Sequence, residues 1–223
     1  MNEYLAILNK YGLRILDGTW ETLYMVGFSL FIAVLFGLPL GVFTAITRDN
    51  HIIEYKPVNY ILNIIINVGR SIPFIILMVA IIPITRLIVG SSIGTTAAIV
   101  PLAVAAIPFV GRIVDNALLE VGPGVIEAAR SMGATPMQII FKVLLPESLP
   151  SLILGITLTA INLIAYSAMA GAIGGGGLGD IAIRYGYQRF MVEVMIITIV
   201  ILVLMVQIIQ WAGNKLAAYF DHK

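Results

Sequence analysis

The sequence predicts an all-α integral membrane protein with five transmembrane helices, and three observations carry that prediction. Apolar residues make up 60% of the 223 residues and charged ones only 11%, with a mean hydropathy of +1.01, against about 25% charged in an average globular domain. So few charged side chains cannot coat a water-exposed surface, and most of the exterior must face lipid. Stretches free of Asp, Glu, Lys and Arg run through 22–47, 87–111, 148–179 and 194–214, and a fifth, 57–85, is interrupted only by Arg70. Each exceeds the roughly 20 residues a helix needs to cross about 30 Å of hydrocarbon. None alternates with the period of a barrel strand, and lipid offers no partner for an unpaired backbone group, so the spans are helices. One transmembrane domain over 1–223 is expected, with spans near 19–47, 58–84, 88–111, 148–171 and 193–213, and a loop over 112–147. A net charge of +1 excludes the concentrated basic surface of a nucleic-acid binder, and the absence of cysteine excludes disulfides and thiolate chemistry.

Before the first span, Tyr4, Leu5, Leu8, Tyr11 and Ile15 fall on one helical face while Asn9, Lys10, Arg14 and Asp17 interleave with them. A secretory leader needs a continuous apolar core, so this pattern suits a helix in the membrane interface or the frayed terminus of a bundle. Trp20 stands where interfacial aromatics anchor a span. In the first span Gly37 and Gly41 fit small-residue helix packing, and Pro39 between them invites a kink.

Asn59, Asn63, Asn67 and Arg70 form a stripe on the second span, at i, i+4, i+8 and i+11. A polar stripe does not face lipid; it lines an aqueous path or hydrogen-bonds neighbouring helices. Arg70 could attract a carboxylate or cap carbonyls at a helix break, and Pro73, Pro83, Pro101 and Pro108 suggest bent helices. Thr159, Asn162 and Tyr166 make a weaker stripe on the fourth span, and Gln207, Gln210 and Asn214 another near the end of the fifth.

Gly174-x-Gly176-x-x-Gly179 formally satisfies the dinucleotide fingerprint, but it follows a span-length helix where the fingerprint requires a strand. The glycine-rich run from Gly171 to Gly179 is either a plain turn or, with Ser167 and Met169, a gate.

The loop 112–147 contains short helical signals. Pro123 and Glu127 suit the first turn of one helix and Gly133 its end; Thr135 caps a second, with Pro136 at its first position. Ala128 and Ala129 keep the first helix thin on one side, as insertion into a partner's groove requires. Composition alone leaves open a solvated connector.

No catalytic set emerges. His51 and His222 stand apart, H-E-x-x-H does not occur, and no Lys is followed by Ser or Thr, so the phosphate-binding P-loop is missing. The chain is expected to be no enzyme and to bind no metal or cofactor. A secondary transporter would need an acidic group within its spans, whose one formal charge is Arg70. With the loop inside, seven Lys and Arg (48, 56, 112, 130, 142, 215, 223) lie inside and five (10, 14, 86, 184, 189) outside. That places the N-terminus outside and the C-terminus in the cytoplasm.

Glu127-Ala128-Ala129, three residues, Gly133, nine residues, then Val143-x-Leu145-Pro146 resembles the EAA signature of ABC-importer permeases, with Val143 in place of the usual Ile. The stretches Arg70 to Ile75, Asn116 to Glu120, Tyr166 to Ala172 and Tyr185 to Tyr187 are similar to the permeases of methionine ABC importers, from about Thr19 to the C-terminus. The glycine-rich stretch is shared with betaine and phosphonate permeases, which are the alternative substrate classes. The resemblance implies that Glu127, Ala128, Ala129, Gly133, Val143, Leu145 and Pro146 belong to a cytoplasmic coupling helix that docks on an ATPase. It implies a homodimer in the bacterial plasma membrane, two cytoplasmic ABC ATPase subunits carrying ATP and Mg, and an extracytoplasmic methionine-binding lipoprotein. D- and L-methionine would then enter by alternating access. Asn63, Asn67, Arg70, Asn162, Tyr166, Ser167 and Met169 are the candidates for the path or gate.

Overall fold

A computed structural model describes residues 2–49 and 51–221, with side chains from Lys10 onward. The expectations on Tyr4, Leu5, Leu8, Asn9, His222 and Lys223 lie outside the described side chains. The chain is an all-α membrane protein. Among the described residues four helices are long and apolar enough to span a bilayer, and five if one bent pair counts as a span.

Helix α1 runs unbroken over Asn2–Ile46. The segment expected to lie as a separate helix in the interface is continuous with the first span. No proline interrupts residues 2–38, so no backbone donor is missing and the ladder continues past the charges; the Thr19 and Thr22 hydroxyls satisfy themselves on the carbonyls of Ile15 and Gly18 at 2.7 and 2.8 Å.

The second stretch is broken. Helix α2 covers Lys56–Ser71, and a sharp bend follows before α3, Phe74–Ala80, and α4, Ile82–Val89. Pro73 causes the break: it caps α3 with ψ 133°, a value no helical residue holds, and it has no N–H to give the preceding turn. Pro83 falls in the first turn of α4, where the missing donor costs nothing.

Helix α5, Thr95–Leu119, extends well beyond the charge-free stretch and takes Arg112 and Asp115 into a span-length helix. Arg112 and Asp115, beyond the charge-free stretch, pair with each other at 2.8 Å, the Asp115 side chain being fully buried. Helices α6, Pro123–Ser131, and α7, Pro136–Ile139, form the loop. A wide helical turn, Ile140–Leu144, leads through α8, Leu145–Glu147, to α9, Leu149–Ala170. Beyond it come α10, Gly177–Ile181, and α11, Val192–Phe220.

The chain forms two compact units. The first comprises Met1–Ile32, Ile72–Ala105 and Ala160–Ile209. Its glycine run is a tight turn: Gly174, Gly176 and Gly177 have φ of 96°, 78° and 76°, and a Cβ on Gly171 would lie 2.5 Å from the Asp180 nitrogen. Only glycine satisfies both demands. The second comprises Ala33–Ser71, Ala106–Thr159 and Gln210–Lys223. There Gly37 meets Val110 and Gly41 meets Gly111 and Val114 closely enough that a Cβ would not fit, which identifies both as helix-packing glycines.

Candidate functional site

The loop is a compact helix-turn-helix whose ends are set by local chemistry. Helix α6 closes on Gly133 at φ 80°, with Gly133 N–H donating to the Arg130 carbonyl at 2.9 Å and Ala134 N–H to the Ala129 carbonyl at 3.1 Å. These two bonds are a Schellman cap. Thr135 then opens α7 through a capping box: its hydroxyl accepts from Gln138 N–H at 3.4 Å, and the Gln138 side chain accepts from Thr135 N–H at 2.9 Å. Both ends are fixed, so the two helices hold a defined relative geometry.

Helix α6 has two faces. Ile126 and Ala129 are buried, whereas Val125, Glu127, Ala128 and Met132 are exposed. Met132 is 82% exposed, and Met137 and Phe141 further along are 63% and 62% exposed. Exposed apolar side chains and the Glu127 carboxylate thus lie along the loop. Val143 and Leu145 are half-buried, Pro146 is exposed, and the neighbouring Ile140 and Leu144 anchor the wide turn from within.

One hydrogen bond ties α6 back: Arg130 Nη2 donates to the His51 carbonyl at 2.9 Å. Burial, together with the guanidiniums of Arg130 and Arg48, holds the His51 imidazole below its usual 6.5, and Asp115 opposes them. The neighbouring Asp115 side chain is fully buried. Its carboxylate accepts from Arg48 at 3.1 and 3.2 Å and from Arg112 at 2.8 Å. Arg112 also donates to Asn63 Oδ1 at 3.1 Å and Asn67 Oδ1 at 2.8 Å.

The asparagine stripe on α2 therefore faces protein partners. Asn59 donates to the Thr44 carbonyl at 2.7 Å, and Asn63 donates to Asn59 Oδ1 at 3.0 Å. Arg70 lies in the last turn of α2, where its charge opposes the helix dipole, with its guanidinium 5.7 Å from the Phe109 ring centre.

In the other unit, Ser167 is buried and its hydroxyl donates to the Ile164 carbonyl at 2.7 Å, while Met169 is 46% exposed. Tyr166 stacks on Phe74 with ring centres 4.7 Å apart, and Asn162 is half-buried. The glycine turn is held from α1: Gly177 N–H donates to Glu21 Oε2 at 2.7 Å and Leu178 N–H to Thr22 Oγ1 at 3.0 Å. Arg14 bonds the Tyr185 hydroxyl, and Arg189 sits 4.7 Å over the Tyr185 ring.

The sequence reading missed Glu21, Arg48, Arg112 and Asp115. Arg112 and Asp115 carry a local signal, an i, i+3 pair of opposite charge in a charge-poor chain. Arg48, 67 residues away from Asp115, carries none. Among the described residues no three His, Cys, Asp or Glu are grouped to hold a metal.

Lipid-length helices, one of them broken, define the class of polytopic membrane proteins. The chain belongs to the family of binding-protein-dependent transport system inner membrane components, whose model matches residues 37–220. It is 54% identical over 209 residues to a chain of Vibrio cholerae named a probable D-methionine transport system permease protein, covering 94% of this chain and 93% of that one. With the Escherichia coli K12 D-methionine transport system permease protein it shares 56% identity over 154 residues, covering 69% and 71% of the two chains. A solved structure of the MetNI methionine ABC transporter in an inward-facing conformation contains a chain that superposes with a TM-score of 0.92. The two are 51% identical, and the match covers 93% of this chain and 96% of that one.

Proposed function

We propose that the chain is the permease subunit of an ATP-driven ABC importer that takes up D- and L-methionine, working as a homodimer in the bacterial inner membrane. ATP and Mg bind and react on two cytoplasmic ABC ATPase subunits, and an extracytoplasmic lipoprotein delivers the substrate. The observation that carries this reading is the EAA-like pattern running from the exposed, capped helix α6 through the wide turn to α8 in a chain of this family. Glu127, Ala128, Ala129, Gly133, Val143, Leu145 and Pro146 form the ATPase-docking element, which is thereby cytoplasmic, with the N-terminus outside and the C-terminus inside. The capped ends of α6 and α7 support the docking role: only a stiff element can deliver the ATPase stroke to a two-state bundle. Ser167, Met169 and the glycine turn are the gate, and Asn162 and Tyr166 lie on the path.

A stand-alone secondary transporter would require an acidic group free to exchange a proton; Asp115, the buried acid of α5, is committed to two guanidiniums. The test is co-expression with an ABC ATPase and a methionine-binding lipoprotein, purification of the complex, and ATP-dependent uptake of labelled D- and L-methionine into proteoliposomes. Stable capture with saturable methionine uptake is expected. A chain that captures no ATPase, or that moves methionine without ATP, overturns the reading.

A further inference from the structure

The proposed docking element accounts for how force would arrive at α6, but not for how it would leave. Among the described residues, the one hydrogen bond that carries α6 out of its own loop is Arg130 to the His51 carbonyl. His51 sits in a hydrogen-bonded connection: its N–H donates to the Arg48 carbonyl at 3.1 Å, Ile53 N–H returns to Ile46 at 2.9 Å, and Tyr55 N–H to Thr47 at 3.1 Å. The Arg130 bond thus reaches, through the His51 backbone, the residue whose side chain meets Asp115. Arg48 and Arg112 share the Asp115 carboxylate, and Arg112 continues to Asn63 and Asn67 on α2, the helix that ends at the break beside Pro73.

Two features distinguish this chain of contacts from ordinary packing. A fully buried carboxylate holding two guanidiniums is a costly way to join helices, since a well-packed apolar cluster does the same at no desolvation cost. Arg48 Nε and His51 Nδ1 are also buried with no protein hydrogen-bond partner among the described residues.

We propose that the polar chain Arg130, His51 backbone, Arg48, Asp115, Arg112, Asn63 and Asn67 transmits motion of the loop to the broken span. Asp115 is its central positioning residue. This rests on the proposed docking of α6 to an ATPase.

The experiment uses the assembled transporter in proteoliposomes, reading ATPase capture, ATP hydrolysis and methionine accumulated per ATP hydrolysed. Asp115→Asn keeps the shape but cannot neutralise two guanidiniums. It is expected to capture the ATPase and hydrolyse ATP normally while uptake per ATP falls by roughly tenfold or more, the size of one charge-assisted hydrogen bond. Arg130→Gln and Asn67→Leu, at the two exposed ends, lower the ratio less. Their double variant is expected to fall short of the product of the two single losses, because both act on one chain of contacts; unrelated structural defects would multiply. If Asp115→Asn fails to assemble, the Arg130 and Asn67 pair decides the matter. Wild-type coupling in Asp115→Asn, or multiplicative loss in the double variant, overturns this inference alone. Failure of the unaltered chain to capture any ATPase overturns it together with the proposed function.

Discussion

Gly133 offers the sharpest test of the loop's rigidity, because space and conformation can be separated there. Its φ is 80°, yet a Cβ built on it would meet nothing within 4 Å. Any cost of substitution is therefore conformational. A side chain in the left-handed region costs roughly 1–2 kcal/mol, more for a β-branched residue and less for Asn, whose short polar group tolerates it. If the chain relaxes to escape that cost, the two Schellman bonds break and the last turn of α6, which carries Ala128 and Ala129, unwinds. A penalty of that size shifts the capped-to-uncapped equilibrium by roughly 5–30-fold. Gly133→Asn, Gly133→Ala and Gly133→Val should lower ATP-driven methionine uptake in that order, with Gly133→Asn nearest wild type. Because the site is exposed and remote from the helix-packing glycines, the thermal midpoint of the detergent-solubilised bundle should barely move in any of them. Uptake by Gly133→Val equal to wild type, or equal losses in all three, would refute the argument from φ.

Three further outcomes follow from the packing and the charges. Gly41→Val places a Cβ 2.5 Å from that of Val114 and against the Gly111 carbonyl. It should destabilise by about 1–3 kcal/mol, read as a lowered thermal midpoint; Gly27→Ala, with nothing within 4 Å of the new Cβ, should leave the midpoint unchanged or raise it. Thr22→Val leaves the buried Leu178 N–H without its acceptor and should cost about 1–3 kcal/mol, lowering the midpoint and loosening the glycine turn to limited proteolysis; an unchanged midpoint would show the bond to be dispensable. His51, held below its usual 6.5 by burial and by Arg130 and Arg48, binds a proton more readily in the unfolded chain. The stability it contributes is therefore present above pH 6.5 and is lost as pH falls through the lowered value. Thermal midpoints measured from pH 8 to 5 should drop more steeply in the wild type than in His51→Gln, and parallel curves would remove His51 from the acid response.

Which features were legible in the sequence follows from how far apart the determining atoms lie. The helix ends of the loop were legible because each is settled within a few residues: Thr135 with Gln138, and Gly133 with Arg130. The resemblance of the EAA pattern was legible for the same reason. The limits of α5 were not. A charge ends a charge-free stretch but not a helix, and Asp115 is buried within α5 because Arg48 and Arg112 pair with it. One of those partners lies 67 residues away, where no periodicity can point. The stripe on α2 was legible as a stripe, but its two readings differ only in what stands opposite, and that is supplied by Thr44 and Arg112. Proline shows the same division. Pro73 breaks its stretch, whereas Pro101 and Pro108 lie inside α5 without ending it, and Pro108 packs closely against Gly69. A proline removes one hydrogen bond wherever it stands; whether the helix stops there is decided by its neighbours. In a chain this poor in charge, the polar groups that distant segments bring together are therefore the ones a sequence reading assigns to water, and here they lie on the proposed route from the loop to the broken span.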